Sequence, residues 1–341
     1  MNSTTRLLIL SLAITCLFAT QTGSQIAAQE SAVRNDAPRV GQQEIVMMRH
    51  AYLEPGGYER WYRNSSEGVW PWFERIGAII LGDFQVIYPV TASETPEREE
   101  ALRFARYASY EHWQSTRGSN AENSGDTGGS TALAGNGPLL DGNNAALADR
   151  RQVLTGSKEA VFMQGYMAET RPVFRPGTNE SFNRVRGSQG QNDSDPMPVR
   201  YGTPEPQDEI LVLQYRKIKK GTFEEVHLLS RNGTWPYLEK IGARPVGQWK
   251  IVYVPYSTPV ESDDYDEIYT LTRFASLEHY QAVQENAVTL GGDGPDYDAA
   301  VDSFQRVNAF TQESSVRFMK GPLWGSPPIH IPTLDERYQA N

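Results

Sequence analysis

The chain has 341 residues, 39% hydrophobic and 22% charged, a length that predicts two domains at about 100–200 residues each. Its formal charge of -10 excludes the basic surface through which nucleic acid or an anionic membrane is bound. The single cysteine, Cys16, lies in the leader, so the rest of the chain has no disulfide framework, thiol nucleophile or thiolate metal site.

Arg6 precedes an apolar run over 7–18, and small residues follow up to Ala27 and Ala28. A basic start, a short apolar run and an alanine exit predict a secretory signal over 1–28. The run is short of the ~20 residues that span a bilayer, so no stable membrane anchor is expected after cleavage. The protein is expected to be secreted or periplasmic, with a disordered polar tail over 29–43.

Behind the leader, the chain is written twice. Glu44-Ile45-Val46-Met47-Met48 recurs 165 residues on as Glu209-Ile210-Leu211-Val212-Leu213. The same offset pairs Gly68-Val69-Trp70-Pro71 with Gly233-Thr234-Trp235-Pro236, and Glu74-Arg75-Ile76-Gly77-Ala78 with Glu239-Lys240-Ile241-Gly242-Ala243. At an offset of 167, Arg106, Ser109 and His112 answer Arg273, Ser276 and His279; Phe162-Met163-Gln164-Gly165 answers Phe318-Met319-Lys320-Gly321. A period this long predicts two domains, 44–170 and 208–325, rather than a solenoid.

Each copy predicts β-α-β-β-α-β. Residues 44–52 alternate with the period of a strand, and Tyr58, Trp61, Ser65, Val69, Trp72 and Ile76 then step at helical spacing. Proline after Trp70 and Trp235 predicts a break or kink in that helix. Gly77 and Gly242 stand where a left-handed C-cap is wanted. Phe84, Val86 and Tyr88 alternate as a second strand, and Leu102, Phe104 and Arg106 as a third. Ser109 and Ser276 cap a second helix, and last strands are expected near 158–168 and 314–320. The Gly/Ser/Asn-rich stretch 115–138 predicts a flexible insertion splitting the second helix of copy one. The proline-containing stretch 171–207 predicts a linker, and 326–341 an irregular tail.

These blocks resemble the NIPSNAP family. The likeness rests on the Glu-Ile opening strand, the helix ending in Ile-Gly-Ala, the Gly-x-Phe/Trp strand at Gly82 and Gly247, and the turns at 104–109 and 271–276. It implies α+β ferredoxin-like domains of the dimeric α/β-barrel type, here two in one chain and facing each other as an intramolecular barrel. It implies no catalytic set.

Arg106 and Arg273 end otherwise apolar strand faces, where an arginine needs a partner. An internal salt bridge to Glu111/Glu278 or Glu74/Glu239 is the structural expectation, and an anion clamp the functional one. His112 and His279 recur in a helical first turn, solvated unless they act as neutral acceptors. Trp70, Trp235, Tyr88 and Tyr253 are core residues or line an aromatic pocket in the barrel. Glu224 and His227 form one Glu-x-x-His, but copy one offers Glu59 and Tyr62 there, so a metal centre is not expected; no cofactor is expected. The partners implied are a small apolar or anionic ligand and, at most, a homodimer. These observations favour a non-enzymatic binding or interaction protein. The alternatives are a cofactor-independent oxygenase-like enzyme on an aromatic compound, and a haem-binding barrel using His112 or His279.

Overall fold

A computed structural model describes residues 44–75, 78–87, 98–107, 109–115, 137–156, 159–168, 210–255, 257, 259–274 and 276–321. The leader, the tails at either end, the linker over 171–207, the insertion over 116–136, Gly77 and Tyr88 lie outside the described residues. Eight strands carry an α+β fold: β1 (Ile45–Leu53), β2 (Ile79–Ile87), β3 (Glu99–Tyr107), β4 (Glu159–Met167), β5 (Ile210–Lys219), β6 (Arg244–Val252), β7 (Tyr265–Phe274) and β8 (Thr311–Lys320). They close into one barrel in the order β1-β3-β2-β8-β5-β7-β6-β4, every neighbour antiparallel.

The first four strands thus lie together as β4-β1-β3-β2 and the last four as β8-β5-β7-β6. Closure happens at two seams, β2 against β8 through Gln85↔Lys320 and Val86↔Met319, and β4 against β6 from Phe162↔Val252 to Met167↔Gly247. Each seam contains the glycine of the repeated Phe-Met-x-Gly. At Gly165 (φ 158°) a Cβ would sit 2.3 Å from the carbonyl oxygen of Gln248, and at Gly321 (φ 142°) 2.9 Å from that of Asp83. The strands can meet there only because no side chain intervenes. Pairing the edges within one chain removes the open strands on which aggregation starts.

Both faces of the sheet are covered, so β1 is buried nearly throughout rather than alternating between core and water. Inward-facing Val46, Met48, Phe84, Phe104, Met163 and Trp249 belong to one apolar cluster, with Phe104 and Trp249 ring centroids 6.4 Å apart. An eight-stranded barrel is just wide enough for its own side chains to fill. The expected aromatic-lined pocket is therefore a packed core.

Helices cover the outside. In the first half, α1 (Gly57–Asn64) runs through a π turn (Ser65–Val69) into α2 (Trp70–Arg75); α3 (Tyr110–Ser115) and α4 (Pro138–Arg151) follow. In the second half, α5 (Phe223–Leu229) runs through Ser230–Thr234 into α6 (Trp235–Lys240), followed by α7 (Leu277–Asn286), α8 (Val288–Gly291) and α9 (Pro295–Phe310). The proline kink is this widened turn, which accommodates a residue that cannot donate to the helix. Gly68 and Gly233 bring the covering helices close: a Cβ would lie 2.4 Å from the Ala146 Cβ or 2.5 Å from that of Ser303. One expectation is corrected. The second helix is split in the second half as well as the first, because Gly292 (φ 79°) and Pro295 end α8 and restart the chain as α9. Gly242 has the expected left-handed φ of 86°. No helix among the described residues is long and apolar enough to cross a membrane.

Candidate functional site

Antiparallel closure gathers the ends of β1, β2, β5 and β6 with the starts of β3, β4, β7 and β8 at one end of the barrel, called the mouth here. Arg106 is at the opposite end. Its Nε and Nη2 donate to the two carboxylate oxygens of Glu44 at 3.0 and 2.9 Å, the side chains being 13% and 5% exposed. Arg106 stands opposite Val46 across the ladder, which sets Glu44 diagonally beside it on the inward face. The internal pair is formed, and its carboxylate is Glu44 rather than any of the four acids expected. Arg273 is buried at the same end, opposite Leu211 and Arg244.

The recurring histidines lie in the helix layer. Ser109 and Ser276 hydroxyls accept the backbone N–H of His112 and His279, each at 3.1 Å, as N-caps. The His279 ring is not solvated, as a first-turn residue would be, but fully buried. Its Nε2 donates to the Ile241 carbonyl at 2.8 Å, tying α7 to the end of α6, and a metal-binding role would require breaking that bond. His112 is half-buried, edge-on to Tyr107. Trp70 packs between helix and sheet with Phe73 and Phe162; Trp235 is buried edge-on to His227 at 5.4 Å. Glu224 and His227 diverge: the Tyr166 hydroxyl donates to Glu224, while His227 Nδ1 meets Gln248 Oε1 at 3.1 Å. Of the sequence-predicted residues only Tyr253 reaches the mouth.

There the inward faces carry a different set. His50 follows Val46 and Met48 in phase along β1, and its Nε2 lies 2.7 Å from Glu100 Oε2. Its Nδ1 is 3.7 Å from Glu159 Oε2 on β4, the residue directly opposite in the ladder. The imidazole is 4% exposed, Glu100 14% and Glu159 44%, so the set opens to water through Glu159. The Tyr52 ring stands 4.4 Å from that of His50 and carries the Arg98 guanidinium 3.8 Å above its centroid. On the facing strands, the hydroxyls of Tyr215 and Tyr253 both donate to Glu267, one to each oxygen.

Burial and the Glu267 carboxylate push the phenol pKa of both Tyr215 and Tyr253 well up. Burial raises Tyr269 to about 12, against the pull of Arg317. Tyr52 is raised by burial and then by Glu159 and Glu100, and lowered by Arg98 and Arg317. The phenols are therefore protonated donors at neutral pH. A carboxylate fixed on one imidazole nitrogen orients the ring and stabilises its cationic form, which equips His50 to take or give a proton at Nδ1. Among the described residues no three His, Cys, Asp or Glu side chains converge as a metal site.

Sequence reasoning set His50 aside because Tyr215 holds its place in the other copy. The structure pairs each of these residues with an acid that does recur, Glu100 and Glu267, 167 residues apart. Extending the alternation of Leu102 and Phe104 back by two residues would have put Glu100 on the inward face.

No family model matches the chain, and no curated protein matches it. Among solved structures it is similar to a monooxygenase-like protein from Lactobacillus acidophilus NCFM, at 10% identity and a TM-score of 0.43 over 82% of this chain and 93% of that one. An anthrone oxidase-like protein gives 11% identity and a TM-score of 0.43 over 84% and 95%. A chlorite dismutase variant from Candidatus Nitrospira defluvii gives 9% and 0.31 over 87% and 96%. At these values nothing of their chemistry transfers to this chain.

Proposed function

We propose that this chain is an exported, tandem NIPSNAP-like barrel that binds a small molecule at its mouth without transforming it. One observation carries the reading: above a filled interior, inward-facing imidazole, carboxylate and phenol groups from several strands meet at one end. A ligand entering the barrel meets that set first and finds no space below it. The tandem assignment is supported by the ordered repeats, each supplying four adjacent strands. Export is supported by the leader, and sequencing the amino terminus of protein from its own host should find a start after 28. Because the barrel closes within one chain, a homodimer is a pairing of finished barrels.

A screen of small molecules by thermal unfolding tests the reading. A ligand at 100 times its Kd stabilises the folded state by about 2.7 kcal/mol. We expect ligands whose shift is lost in His50→Gln and in Glu267→Gln. Shifts that survive both variants would place the site elsewhere.

A second reading is favoured by the 2.7 Å contact of His50 with Glu100, which suits an enzyme that moves a proton. Turnover of any ligand found by the screen, abolished in Glu100→Gln, would replace the binding-only reading.

A further inference from the structure

We infer that the mouth is selective for small aromatic carboxylates, the carboxylate held by Arg98 and Arg317 and the ring lying against the tyrosines. The inference rests on the reading of the mouth as the binding site.

It starts from which charges are already answered. Glu100 is held by His50, Glu267 takes two phenol protons, and Glu313 is paired with Lys217 at 2.7 Å; Glu159 faces His50. Both guanidinium groups are exposed, and among the described residues neither makes an ion pair. Arg317 follows Met319 in phase on the inward side of β8, opposite Leu213, and its field reaches the hydroxyls of both Tyr52 and Tyr269. Arg98 lies flat on Tyr52. A guanidinium stacked on a ring keeps its N–H edge in plane, where a carboxylate can accept two parallel bonds.

The body of the ligand follows from what surrounds these donors. Tyr215 and Tyr269 stand 5.3 Å apart with their rings tilted by 51°, and the ladder neighbours beneath His50 and Arg317 are Leu102 and Leu213. Ring faces and edges over an apolar floor suit a flat unsaturated body better than a hydrated aliphatic one. The filled core limits its size to about one ring.

Calorimetric titration of the mature chain with 4-hydroxybenzoate, p-cresol, acetate and benzylamine tests this. 4-Hydroxybenzoate should bind at least tenfold more tightly than the other three. The double substitution Arg98→Gln, Arg317→Gln should erase that advantage while leaving the ligand-free melting temperature unchanged, since neither arginine has an ion pair to lose. Equal affinity for p-cresol, a preference for benzylamine, or undiminished 4-hydroxybenzoate binding by the double variant would overturn the inference. Binding of p-cresol that is lost in His50→Gln would overturn the carboxylate preference while leaving the mouth as the site. Failure of all four probes would overturn the ligand class, and the broader thermal screen would then decide the site.

Discussion

Arg106 and Glu44 form the bidentate pair at the end of the barrel opposite the mouth. Both are nearly out of water, and the value of such a pair lies in what remains when one partner is removed. Arg106→Met leaves a buried carboxylate and should lower stability by about 3–5 kcal/mol, read as a lower urea midpoint at unchanged slope. An unchanged midpoint would mean that Glu44 reaches water or a second cation. At this scale the sequence was half legible. An arginine in phase with Leu102 and Phe104 had to be partnered, but its partner lies 62 residues away and is found only through the register of β1 on β3. His50 was hidden for the opposite reason. Comparing the copies gave histidine against tyrosine, and the shared feature was the acid each one meets.

At the scale of elements, the glycine two residues before Phe84 and Trp249 explains a motif that reads only as strand. Bulges at Ile80/Gly82 and Pro245/Gly247 let each ring fold back over the glycine. A Cβ there would approach the Phe84 ring to 2.3 Å or the Trp249 ring to 2.2 Å. Gly247→Ala should cost about 1–3 kcal/mol by overpacking, and Trp249→Leu in the same chain should recover part of that loss. Additive losses in a thermal double-mutant cycle would show that ring and glycine do not interact. Strand positions and the helix kink could be read from periodicity and proline. The bulges could not, because a one-residue shift in pairing leaves no mark on the alternation of a strand buried on both faces. The same burial made β1 look like an ordinary alternating strand and concealed that the barrel interior is full.

At the scale of the molecule, the two groups of four strands meet at seams built on Gly165 and Gly321, and the two ends of the barrel differ in character. One end holds the Arg106–Glu44 pair; the other gathers His50, Glu100, Glu159, Glu267 and four tyrosines. The repeat foretold a barrel, whereas the difference between its ends depends on the direction in which every strand runs, which only the closed topology supplies. The claim that the mouth is the binding site is tested most directly by fluorine NMR of protein labelled with 3-fluorotyrosine. The chain has 17 tyrosines, and substitution assigns Tyr52, Tyr215, Tyr253 and Tyr269 at the mouth and Tyr58, Tyr62 and Tyr107 away from it. On titration with the strongest ligand of the thermal screen, the account predicts that the four mouth resonances shift together and saturate at one equivalent while the other three stay in place. Shifts confined to Tyr58, Tyr62 or Tyr107, with the mouth resonances unmoved, would contradict it.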